Sequence, residues 1–346
     1  MADLTLAANN GDIGGGEVML LQMAQLSRDL GLSVHVVAPD ASAVLDRARH
    51  LGFSGTGIGG RGRPAYLRGL RAWDARERTG LLWCHGLVPG LATAGHRRRV
   101  VELHQQPTGA ARLAALAARA GRPRVVVPSE HMRSRLPGTT VVSNWTEDIA
   151  AVARRTRTGG PRVIGFIGRL SPTKGIVDLA QALAILQHRR PGAYRLFLAG
   201  ETRFVPDRDR RRVEAALAPI APLTERPGWM RREDFFSRVD LAVFPSVWGE
   251  PFGLVAAESM AAGTPFVITD DGALPEVAGA DHPWIARPLD PTDLADTIER
   301  ALASDPTSAV AVARRRWEEH FSPTSARRRL RSLFRELDVL PEDPKS

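Results

Sequence analysis

A single cysteine, Cys84, leaves no internal disulfide and no cysteine-cluster metal site to organise this chain of 346 residues. Lysine is almost absent too: Lys174 and Lys345 stand against 45 arginines. No apolar run approaches the ~18 residues of a membrane span. The opening stretch, MADLTLAANNGDIGGG, has neither a basic n-region nor an apolar h-region, which argues against secretion and for a cytoplasmic protein. There is no repeat, no low-complexity tract and no heptad pattern. What remains is an ordinary globular composition, 43% apolar and 25% charged with a mean hydropathy of −0.17. At ~150 residues per domain, the length suggests two domains.

The net charge of +9 is unevenly spread. Residues 1–146 carry 18 arginines against 10 acidic residues, whereas the remainder carries 29 basic against 28 acidic. The first half therefore suits an anionic partner, a membrane surface or an acidic acceptor, or it is simply a solvated arginine-rich surface. Nucleic acid is disfavoured, since no recognition module or aromatic platform accompanies the charge.

Strand-like and helix-like stretches alternate along the chain, the pattern of βαβ units and parallel sheets. Strands are expected at 4–9, 33–39, 81–85, 100–104, 124–128 and 139–143, then at 163–168, 195–200, 241–246 and 265–270. Most are continuous Val/Leu runs, as expected of strands covered on both faces. Helices are expected at 16–30, 65–78 and 110–120. The polar stretch RRTRTGG (154–160) falls between the two series, placing a break near 146–160. The expected architecture is thus two doubly wound α/β domains, 1–146 and 147–323, with a ligand cleft at their strand ends. The helix 324–338, with Leu330, Leu333, Phe334 and Leu337 on one side, is expected to pack back on the first domain.

Chemistry concentrates in PSVWGEPFGLVAAESMAAGTPFVITDDGALPE, residues 245–276. Gly253 permits a tight turn into a helix whose first N–H groups, on Gly253, Leu254 and Val255, form an anion site. Gly263 ends that helix and Pro265 prevents its continuation. Glu250 precedes the helix and Glu258 lies inside it, carboxylates suited to sugar or ribose hydroxyls. In GFIGRLSPTKG (165–175), Arg169 and Lys174 follow a strand end, a fork and a point charge able to bracket a diphosphate. The first strand runs into NNGDIGGGE (9–17), where Gly14, Gly15 and Gly16 allow close approach of a phosphate or sugar. It is not the dinucleotide fingerprint, because position 19 is Met rather than Gly, which disfavours a nicotinamide oxidoreductase. His104 and His85 end successive strands. The segment 61–78 sets Tyr66, Leu67, Leu70 and Trp73 on one side among Arg63, Arg68, Arg71 and Arg76, the pattern of either an interfacial or a crossover helix.

These motifs resemble the retaining glycosyltransferases of the GT-B fold, family 4. Glu250 and Glu258 have the family's seven-residue interval, and Met260, Ala261, Gly263, Pro275 and Glu276 fall on its pattern. The resemblance implies that Glu258 holds the donor ribose, that Glu250 hydrogen-bonds the donor sugar, and that Phe252 is among the donor-binding residues. It implies that Arg169 and Lys174 contact the pyrophosphate with Gly253, Leu254 and Val255, and that Gly15 and Gly16 close over the donor. His104 would sit under the sugar. Glu102 stands where the family has Thr, and Ala273 where it has a second Gly. The implied reaction moves a sugar from a nucleoside diphosphate sugar, UDP or GDP by preference, to an acceptor hydroxyl. It uses no metal and no further cofactor, and the acceptor is a glycolipid, polysaccharide or natural product. A nucleotide-sugar epimerase or a non-catalytic nucleotide-sugar binder are the alternatives on the same scaffold. Peripheral attachment to the inner face of a membrane through the basic first domain is a further expectation.

Overall fold

The computed structural model describes residues 3–60, 62–149, 159–202 and 205–342. Most of the expected 154–160 linker lies outside them. The chain forms two compact units, Met1–Asn144 with Thr324–Ser346, and Trp145–Pro323.

The first unit is built on β1 (Leu4–Ala8), β2 (Val34–Pro39), β3 (Ser54–Ile58), β4 (Leu81–His85), β5 (Arg99–Glu102), β6 (Arg124–Val127) and β7 (Thr140–Val141). They form one sheet in the order β3-β2-β1-β4-β5-β6-β7, and every pairing is parallel. β1 and β4 are buried at every position, which is why they read as unbroken apolar runs. β3, with the sequence Ser-Gly-Thr-Gly-Ile, escapes the sequence reading because it is a half-exposed edge with two glycines.

The helix Gly62–Arg76 buries Tyr66, Leu70 and Trp73 in the core of this sheet, and the Tyr66 hydroxyl donates to the Ala8 carbonyl at 2.8 Å. It is therefore the crossover helix; its apolar side faces the sheet and is not offered to a membrane. The helix Pro323–Glu336 belongs to this unit as well: Leu330 and Phe334 are fully buried, and Phe334 meets Trp83 of β4 edge-on at 6.2 Å.

The second unit holds β8 (Arg162–Ile167), β9 (Tyr194–Ala199), β10 (Thr224–Gly228), β11 (Leu241–Phe244), β12 (Phe266–Thr269) and β13 (Ile285–Ala286). Their order is β10-β9-β8-β11-β12-β13, again all parallel. Alternate residues feed two cores. Ile164, Phe166, Leu198 and Val243 pack with the helices Ile176–Arg189 and Pro291–Ala303, while Val163, Phe197, Ala242 and Phe244 pack with the helix Leu254–Ala261 and Trp317. The strands that the sequence left unassigned, β10 and β13, are once more the sheet edges.

Among the described residues, no helix is long and apolar enough to cross a membrane.

Candidate functional site

In each sheet the winding reverses once, between β1 and β4 in the first unit and between β8 and β11 in the second. The loops leaving such a pair of parallel strands diverge and open a crevice at their carboxyl ends. The loops after β8 and β11 carry Arg169, Lys174, Glu250 and Gly253; the loop after β1 carries the glycine-rich segment, and His85 is the last residue of β4.

In the second unit the two loops are locked together by a bare backbone. Gly175 has φ 73°, and a Cβ there would lie 1.7 Å from the Pro245 carbonyl oxygen, so no side chain is admissible. The close approach brings Lys174 across to Glu250. Lys174 Nζ donates to Glu250 Oε2 and lies 5.3 Å from the Trp248 ring centre. The same oxygen accepts from Ser246 Oγ at 3.0 Å and from Trp248 Nε1 at 3.3 Å. Asp271, from the loop after β12, fixes the turn beneath by accepting from the Glu250 amide at 2.9 Å. The sequence reading had no role for Ser246, Trp248 or Asp271; that they converge on Glu250 depends on register between loops. Arg169 is exposed just beyond β8.

The helix Leu254–Ala261 starts from Gly253 in the left-handed region, φ 92°, with no side chain capping it. Its first amides are therefore open to an anion. A Cβ on Gly253 would come within 2.5 Å of Leu274 Cδ2. Leu254 and Val255 are half-buried against the core. Phe252 is buried edge-on against Phe321 at 5.4 Å, so its ring is a core element.

Glu258 is also buried, with Arg232 Nε 2.5 Å from its Oε1. Burial pushes its carboxyl up to about 7, against the opposing pull of the half-exposed Arg232. Desolvation wins because Arg232 shares its charge with water while Glu258 shares nothing. Sequence reasoning, which saw only the interval from Glu250, offered no sign of Arg232 as the partner.

In the first unit, Gly14 precedes the helix Gly15–Asp29, and Glu17 reaches back to accept from the Gly14 amide at 3.2 Å. Gly15 is exposed, and a Cβ on Gly16 would lie 3.7 Å from His104 Nε2. β5 ends at Glu102, so His104 stands two residues beyond the strand. Glu102 is the hub of this end of the sheet. Its Oε2 accepts from Trp83 Nε1 at 2.7 Å and lies 3.1 Å from His85 Nδ1, and its Oε1 lies 3.6 Å from His104 Nδ1. The two imidazoles stack at 6.0 Å. Burial raises the Glu102 carboxyl, but His104, His85 and the Trp83 indole outweigh it and hold it below its ordinary value. Burial pushes His85 down to about 4. The sequence poses His85 and His104 as competitors and Glu102 as a departure; the structure assembles all three. They are also the group of side chains, among the described residues, whose spacing could hold a metal ion. The Asp207 and Asp209 pair, by contrast, sits in the first turn of the helix Asp207–Leu217, with Asp207 exposed and bound to Arg210 at 2.7 Å.

Residues 161–304 match the family described as glycosyl transferases group 1. The glycogen synthase of Mycobacterium tuberculosis is 35% identical over 186 residues, 53% of this chain and 41% of that protein. A D-inositol 3-phosphate glycosyltransferase of Corynebacterium diphtheriae is 26% identical over 238 residues, 62% of this chain and 51% of its own length. The chain thus spans about half the length of these curated relatives. Among solved structures, a sucrose-phosphate synthase from Thermosynechococcus elongatus superposes with a TM-score of 0.80 at 18% identity, covering 98% of this chain and 100% of its own. HepE of Anabaena, solved with UDP-glucose, superposes with a TM-score of 0.80 at 18% identity, covering 97% and 100%. The fold is the two-domain GT-B arrangement of Rossmann-like sheets.

Proposed function

We propose that this chain, whose residues 161–304 match the group 1 glycosyl transferases, moves a sugar from a nucleoside diphosphate sugar to an acceptor hydroxyl with retention of anomeric configuration. The observation that carries the reading is the meeting of Lys174, Glu250 and an uncapped helix N-terminus at the β8/β11 reversal. A diphosphate needs cationic and N–H donors, and a sugar needs a carboxylate beside them; this arrangement supplies both.

In the proposed reaction the bond between the anomeric carbon and the terminal phosphate oxygen breaks, and the acceptor oxygen bonds to that carbon on the same face. The acceptor proton passes to the departing phosphate oxygen. Charge therefore builds on the diphosphate, where Lys174, Arg169 and the amides of Leu254 and Val255 stabilise it without reorganising. That step invokes no metal. Glu250 hydrogen-bonds the donor sugar, and Glu258 holds the ribose. A retaining glycosidase instead sets two carboxyl groups ~5 Å apart for covalent chemistry; here Glu250 and Glu258 have separate partners, Lys174 and Arg232. The donor class is a UDP- or GDP-sugar, a reading supported by the UDP-glucose in HepE. The acceptor is a hydroxyl of a glycolipid, polysaccharide or natural product.

A thermal-shift series with UDP, GDP, ADP, dTDP and their sugars tests the donor site. At 100 times its dissociation constant a ligand adds ~2.7 kcal/mol of stability. Stabilisation by one nucleotide family supports the assignment, and no shift with any of them overturns it. Product analysis with donor alone then separates a transferase, which leaves the donor sugar unchanged apart from slow hydrolysis, from an epimerase.

A further inference from the structure

We infer that His85, Glu102 and His104 form a site for a divalent transition metal, zinc or one of its neighbours, at the carboxyl ends of β4 and β5. The parallel register pairs His85 directly with Glu102, and His104 follows two residues later. Candidate ligand atoms on the three side chains all lie within 4.8 Å of one another. His85 Nδ1 lies 3.1 Å from Glu102 Oε2 and His104 Nδ1 3.6 Å from Glu102 Oε1, so the two imidazoles face the two oxygens of one carboxylate.

Hydrogen bonding does not account for the cluster. His85 is 2% exposed, yet neither of its ring nitrogens makes a hydrogen bond, and His104 Nε2 is likewise buried without one. Buried polar groups find a partner in roughly 90% of cases, so a buried imidazole with both nitrogens unpartnered beside a carboxylate calls for a reason. An ion held among the three side chains would take up a nitrogen lone pair of His85 and supply that reason. The Trp83 N–H on Glu102 Oε2 is then the outer hydrogen bond that orients a ligating carboxylate. Two histidines and a carboxylate suit zinc, iron, cobalt or nickel and leave a coordination position open. His104, with its side chain 23% exposed, marks the side from which an ion enters. Ligation through Nδ1 also dictates the tautomer: the proton of His104 must sit on Nε2, which lies 3.7 Å from where a Cβ on Gly16 would be. The metal would thus hold a fixed N–H donor at the glycine-rich loop.

The test uses the untagged full chain, stripped with a chelator and titrated with Co(II). One equivalent should bind and produce visible ligand-field absorption, and Zn(II) should abolish the band and raise the melting temperature. Glu102→Gln and His104→Gln, both near-isosteric, should each weaken Co(II) binding at least tenfold while keeping the wild-type circular dichroism; His104→Gln, at the more exposed ligand, remains informative should Glu102→Gln misfold. Absence of the band in the wild type, or affinity unchanged in folded His104→Gln, overturns the site. Neither donor nor acceptor enters the measurement, so it fails or succeeds independently of the proposed transfer.

Discussion

Lys174 and Glu250, 76 positions apart, are joined by a hydrogen-bonded ion pair, so the cation proposed for the diphosphate and the anion proposed for the sugar satisfy each other before any ligand arrives. Donor binding then has to exchange this contact for two new ones. Glu250→Ala should lower kcat by roughly 100-fold or more, the scale of losing a transition-state hydrogen bond. It should also leave UDP or GDP affinity intact or tighter, since Lys174 is released for phosphate. Lys174→Ala should raise the dissociation constant instead. Calorimetric titration of nucleoside diphosphate into both variants checks the pair, and weaker binding by Glu250→Ala would count against it.

Gly253 combines two constraints that Gly249 does not. Both have positive φ, 92° and 78°, but a Cβ on Gly253 meets Leu274 at 2.5 Å whereas one on Gly249 meets nothing within 4 Å. Gly249→Ala should cost about 1–2 kcal/mol of backbone strain alone. Gly253→Ala should cost more and should also reduce nucleotide affinity, because the helix start must shift. Thermal unfolding of both variants, with and without nucleotide, makes the comparison.

Glu258 titrates near neutrality. With a folded value of about 7 raised above the ordinary 4.5, the native state holds the extra proton between those values. Its contribution to stability therefore falls as pH rises through that window. Ribose recognition has the opposite sign, since the ionised carboxylate is the better acceptor: donor affinity should weaken as pH drops below about 7. Glu258→Gln should bind more weakly and lose this pH dependence. Titrations at pH 6 and pH 8 measure it, and an unchanged profile in Glu258→Gln would remove the residue from the ribose site.

The last helix is a structural part of the first unit. Phe334 is fully buried beside Trp83, so Phe334→Ala should destabilise that unit by about 3–5 kcal/mol. Denaturant unfolding should show the loss, while nucleotide affinity of the second unit changes little. Equal loss in both would contradict the division into units.

What could be read from the residues follows from where they lie. Central strands such as β1, β4 and β11 are buried on both faces, so their apolar runs are unbroken and their limits agree with the expectation within one or two residues. Edge strands β3, β10 and β13 carry glycine, proline or only two residues, and their pairing comes from a neighbour that the local pattern does not contain. Glu250, Lys174 and Gly253 were legible because loop chemistry at a strand end is written in consecutive residues. A motif gives adjacency, not direction: Phe252 stands between Glu250 and Gly253 in the chain, while its ring turns into the core against Phe321.

The sequence by itself determined the two α/β series, the order of the strands along the chain and the loop segments that carry Lys174, Glu250 and Gly253, because burial periodicity and turn residues act over a few positions. Tertiary structure alone decided that Lys174 meets Glu250, that Arg232 rather than solvent faces Glu258, and that Glu102 gathers His85 and His104. Those contacts depend on sheet order and on the register between parallel strands. Both arise from long-range packing, so no local pattern could report them.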